Sequence, residues 1–138
     1  MSSETAGPAQ QRRRAAALFA LLALIAVGLA VHMLLPDTDG SDVAGDALYA
    51  AAVFAAVVLI APRMHPAAVA AIAAGWCIAI ELFQLTGIPL RVASLFPPAI
   101  LVLGTVFDAR DLVVYPLAVG VAWAIDALVA AVLSRRSG

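Results

Sequence analysis

The feature that most constrains the fold is the stretch 15–35, 21 residues without a charge, entered through Arg12, Arg13 and Arg14 and closed by Pro36 and the acidic turn DTDGSD. As an α-helix it is about 31 Å long, the hydrocarbon thickness of a bilayer. The rest of the chain agrees. Of 138 residues, 64% are hydrophobic and 12% charged, against about 45 to 50% and 25% in a soluble domain. Lipid is the solvent that accepts so much apolar surface, so the composition predicts an integral membrane protein. A secretory signal peptide has the same basic start and apolar run, with small residues near Ala30, but the run continues to Leu35, which favours a retained helix.

Three further segments fit spans. Ser41 or Asp42 can cap a helix over 43–61, with Asp46 in its first turn and Pro62 after it. Another covers 66–85, starts on Pro66 and carries Glu81 and Gln84 just before the TGIP break. The last covers 111–133 and ends at Arg135 and Arg136. The intervening RVASLFPPAILVLGTVF is apolar but cut by Pro97, Pro98 and Gly104. A helix over 98–106 would reach only about 14 Å, so this piece reads as an interfacial or re-entrant segment packed on the bundle. A five-helix alternative sends 93–107 across. The expected fold class is an all-α membrane protein: four transmembrane helices plus a short interfacial or re-entrant helical segment between the third and fourth. Its expected domains are a disordered cytoplasmic tail over 1–14, one bundle over 15–134 and a short tail over 135–138.

Six arginines (Arg12, Arg13, Arg14, Arg63, Arg135, Arg136) fall on one side of the four-helix arrangement and two (Arg91, Arg110) on the other. The positive-inside bias then places both termini in the cytoplasm. These cations form short groups rather than a basic face, which excludes a nucleic-acid partner. The lone Cys77 reads as a buried thiol and rules out an intrachain disulfide.

On this topology Asp46, Glu81, Gln84, Asp108, Arg110, Asp111 and Tyr115 converge at the outer membrane level, with Arg91 nearby. Glu81 and Gln84 are i,i+3 neighbours on one helix face, and Tyr115 lies one turn below Asp111. A carboxylate among acyl chains costs about 2 to 3 kcal/mol, so these acids should face one another, water or the counter-ions Arg91 and Arg110. Two readings stay open: a ligand-binding site, or residues that cap helices and pin the bundle. Asp126, about 22 Å along the last helix, reads as a hydrogen-bonded packing residue rather than a proton relay. His32 can join the cluster, and His65 reads as surface.

Gly45 and Asp46, Glu81 and Gln84 in ELFQ, and Leu103, Gly104, Phe107, Asp111 and Tyr115 in LVLGTVFDARDLVVY carry a resemblance. The chain resembles an uncharacterised bacterial family of small four-helix membrane proteins, a domain of unknown function that looks distantly VanZ-like. Ala118 stands where that pattern has glycine. The resemblance implies an inner-membrane protein and brings no catalytic residue with it.

Three function classes follow. The first is a non-enzymatic protein whose outward polar cluster binds a membrane lipid headgroup, another amphiphile or a cell-envelope precursor. The second is an oligomeric transporter or channel subunit using Asp46, Glu81 and Asp126 for cations or protons. The third is an enzyme on lipid-linked substrates; with no serine or cysteine motif and no histidine near the acids, it would rest on carboxylates alone and ranks last. No metal or other cofactor is called for.

Overall fold

The computed structural model describes residues 7–135; expectations for residues 1–6 and 136–138, Arg136 among them, lie outside the described residues. Six α-helices follow in order: α1 (Pro8–Leu34), α2 (Asp39–Ile60), α3 (Pro66–Gln84), α4 (Ile88–Leu95), α5 (Ile100–Leu103) and α6 (Asp111–Arg135), with a 3-10 turn Pro97–Ala99 ahead of α5. Four of them, α1, α2, α3 and α6, are long and apolar enough to cross a membrane. The chain is a multi-pass membrane protein, and the four-span expectation holds. The five-helix alternative does not, because the turn and Gly104 break the 93–107 segment.

Three boundaries differ from expectation for local reasons. α1 begins at Pro8 rather than residue 15, so Arg12, Arg13 and Arg14 lie within the helix. Proline suits a first turn, and the glutamines, arginines and alanines after it are all good helix formers. α2 begins at Asp39, four residues early, because Thr38 is the cap in place of Ser41 or Asp42. The Thr38 side chain accepts from the Ser41 backbone N–H and the Ser41 hydroxyl accepts from the Thr38 N–H, a reciprocal cap. In the interrupted segment the longest helical piece is α4, ahead of the Phe96–Pro97 break rather than after it. A residue before proline is driven out of the α region, and Phe96 has left it, at φ −138° and ψ 88°.

The interior is narrow and made mostly of small side chains: Ala50, Phe54 and Val58 of α2, Val69, Ala73 and Cys77 of α3, and Tyr115 and Val119 of α6. Cys77 is a buried core residue, as expected. Small residues let helices approach closely where lipid supplies no hydrophobic drive. α6 packs on both α2 and α3, while α1 lies along α2. Large side chains such as Phe19, Ile60, Leu117 and Leu128 point outward, as they should when acyl chains replace a core.

One end of the bundle is fixed by Arg13. Its Nε and Nη2 donate to Asp126 Oδ1 and Oδ2 at 3.1 and 2.6 Å, and its Nη1 donates to the carbonyls of Pro62 and Met64 at 2.9 and 2.8 Å. The guanidinium fork thereby ties α1 to α6 and to the α2–α3 turn. Asp126 is a hydrogen-bonded packing residue. His65 is exposed and caps α3 through Nδ1.

Candidate functional site

At the other end, the buried stripes of three helices each finish in a carboxyl group. On α2 the residues four apart are Val58, Phe54, Ala50 and then Asp46; on α3, Val69, Ala73, Cys77 and then Glu81; on α6, Val119, Tyr115 and then Asp111. Steps of four keep to one helix face. The apolar interior and the acids are therefore one continuous surface. Glu81 is fully buried, and Gln84 and Asp111 are each 7% exposed. Asp46 and Asp111 line one and the same cavity.

The chain between α5 and α6 is held against this surface by the α3 pair. Gln84 Nε2 donates to the Leu103 carbonyl at 2.9 Å, and Glu81 Oε1 accepts the backbone N–H of Asp108. Gly104 makes the approach possible: its φ is +61°, and a Cβ there would collide with Gln84 Nε2. Each acceptor group still has an oxygen to spare. Glu81 Oε2, Gln84 Oε1 and Asp111 Oδ1 are buried without a hydrogen-bond partner.

Arg110 is the counter-ion. Its guanidinium lies 3.2 Å from Asp108 Oδ2, 3.6 Å from Asp39 Oδ1 and 3.7 Å from Asp111 Oδ1. Desolvation works against its charge, yet the carboxylates of Asp108, Asp111, Asp39 and Asp46 outweigh it and raise its pKa above the ordinary arginine value. Asp108 also turns the chain into α6, its Oδ1 accepting the Arg110 backbone N–H at 2.9 Å. Asp108 thus fixes the turn that precedes α6, and Asp111, in the helix's first turn, faces the cluster.

A polar cavity of about 400 Å³ opens here, lined by His32, Asp46, Gln84, Arg110, Asp111 and Tyr115 among others. It runs into a second, mostly apolar one of about 550 Å³ between α1, α2 and α5, lined by Leu21, Leu24, Ile25, Ala52 and Val53. The two share Gly28, His32, Gly45, Asp46, Gln84, Gly104 and Tyr115. Trp76 Nε1 donates to the Tyr49 hydroxyl at 3.0 Å and that hydroxyl to the Val102 carbonyl at 2.8 Å, fixing α5 as one wall. Among the described residues no three His, Cys, Asp or Glu side chains converge to hold a metal ion.

Of the residues singled out in the sequence, Asp46, Glu81, Gln84, Asp108, Arg110, Asp111 and Tyr115 come together. Arg91 does not: it is exposed on α4 and forms no ion pair among the described residues. Its expected role as counter-ion falls to Arg110 alone, because α4 turns that side chain away from the bundle. One participant was missed. Asp39 pairs with Arg110, and the signal for it was the acidic DTDGSD turn at the same membrane level. His32, which the sequence left able to join the cluster, lines both cavities, so a histidine does stand near the acids, contrary to the expectation used against catalysis.

No curated protein and no solved structure matches the chain. A family model matches residues 37–121, more than half of the chain. Asp39 through Tyr115 lie inside that match, whereas His32 and the Arg13–Asp126 pair lie outside it. The expected likeness to an uncharacterised family is thereby met: the chain belongs to the family described as Protein of unknown function (DUF2809).

Proposed function

We propose that the protein binds an amphiphile, a lipid headgroup or cell-envelope precursor with its tail, in the cleft at the acidic end of the bundle. The observation that carries this reading is the joining of two cavities of opposite character: a polar one bounded by Asp46, Gln84, Arg110 and Asp111, and an apolar one along α1 and α2. Sites for small molecules are typically concave and mostly apolar, with a few converging polar groups. A head in the first compartment and a tail in the second match that pattern.

Arg12, Arg13, Arg14, Arg63 and Arg135 at the opposite end favour a cytoplasmic position for both termini. The cleft then faces outward, in keeping with a bacterial inner-membrane protein and with the VanZ-like resemblance. The transporter reading loses one of its three acids, since Asp126 is paired with Arg13 at the far end.

Native mass spectrometry of the purified chain tests the proposal. The wild type should retain a co-purifying amphiphile, and Ala52→Trp, which fills the apolar compartment, should lose it while staying folded. An unliganded wild type, or equal retention by the variant, contradicts the reading.

A further inference from the structure

Resting on that reading of the cleft, we infer that the head of the bound amphiphile is cationic and bears N–H donors, as a primary ammonium group does.

The first observation is the balance of charge. Five aspartates line the polar cavity, Asp37, Asp42, Asp46, Asp108 and Asp111, against Arg110 as its one guanidinium. That guanidinium is already shared among Asp39, Asp108 and Asp111. An anionic head would meet several carboxylates and compete with three of them for one partner. A cationic head meets unspent negative charge.

The second observation is independent of charge and concerns hydrogen bonding. Gln84, 7% exposed, lines the cavity, and its amide can be oriented in only one way, because a carbonyl, that of Leu103, must face the NH2 group. Its Oε1 is then an acceptor, and it has no hydrogen-bond partner; Asp111 Oδ1, also at the cavity, has only the ion-pair approach of Arg110 Nε at 3.7 Å, too long for a hydrogen bond. A buried acceptor left unpaired is costly, so such atoms call for a donor. An ammonium group offers three donors and a charge together, whereas a quaternary ammonium offers the charge alone. Among the described residues the cavity has no aromatic cage that would favour the quaternary form, Tyr115 and the imidazole of His32 being the rings on its wall.

The test compares four single-chain amphiphiles with the same decyl tail, decylammonium, decyltrimethylammonium, decyl sulfate and decyl glucoside. Each is titrated calorimetrically into the full-length protein in neutral-detergent micelles, with empty micelles as blank. Decylammonium should bind at least about tenfold more tightly than the other three, the worth of charge-assisted hydrogen bonds. Gln84→Leu and, separately, Asp46→Asn should remove that preference. Asp46 holds no loop backbone, so its variant reads the site even if Gln84→Leu fails to fold. Equal or tighter binding of the sulfate, the glucoside or the trimethyl compound overturns the inference and leaves the amphiphile reading standing. Binding by none of the four overturns both.

Discussion

Gly104 and Glu81 show how single atoms set this site. The positive φ of Gly104 and the nearness of Gln84 leave no room for a side chain. Gly104→Ala should therefore destabilise the protein by about 1 to 3 kcal/mol, read as a lower melting temperature in detergent. Gly45→Ala is the control: a Cβ there meets nothing within 4 Å, and the melting temperature should stay near that of the wild type. Glu81→Leu strands the part-buried Asp108 N–H and should cost about 1 to 3 kcal/mol, whereas Glu81→Gln keeps an acceptor oxygen and should recover most of the loss. If Glu81→Leu melts with the wild type, the bond to the loop carries no stability. Glu81 and Gln84 were legible in the sequence because a polar pair inside a spanning helix has no capping duty. Their partners Leu103 and Asp108 were not, since those bonds join residues 19 and 27 positions apart through a loop of irregular backbone.

Helices are where the periodic signal was strong and its ends were weak. α3 could be read almost to the residue because Pro66 starts it and the TGIP break follows it. The start of α1 could not: Arg12 to Arg14 look like a membrane boundary, yet polar helix formers continue the helix beyond it. Tertiary contacts add to that local cause, for Arg13 is anchored by Asp126 and by the α2–α3 turn. Removing one member of a largely buried pair leaves an uncompensated charge, at a cost on the order of 3 kcal/mol. Arg13→Met should accordingly lower the unfolding midpoint strongly, and Arg13→Met combined with Asp126→Leu should lower it less than Arg13→Met alone. A double variant worse than the single would show that the pair itself is not what α1 depends on. Arg91 was misjudged for a related reason: the position of α4, and with it the face that carries Arg91, is set by packing on α3 rather than by composition.

Over the whole molecule, charge is sorted by end. Among the described residues, every acidic side chain except Asp126 belongs to the end where α2 and α6 begin and α3 stops, and every arginine except Arg91 and Arg110 belongs to the opposite end. The raised pKa of Arg110 keeps its charge through the neutral range, so the stability that its own titration contributes is fully present below the ordinary arginine value and is lost as pH rises through the still higher folded value. Span count and this sorting could be read from hydropathy alone; that one cleft crosses from polar to apolar walls could not, because its walls come from α1, α2, α5 and α6 together. The claim underlying the rest is that the carboxyl-bearing faces of separate helices meet at one end of the bundle. Paired cysteines measure it: in a Cys77→Ser background, Asp46→Cys with Asp111→Cys is treated with a short bifunctional thiol reagent in membranes and the chain is weighed. The account predicts an efficient cross-link within one chain for this pair and none for Asp46→Cys with Asp126→Cys. Failure of the first pair to join, or joining of the second, would contradict it.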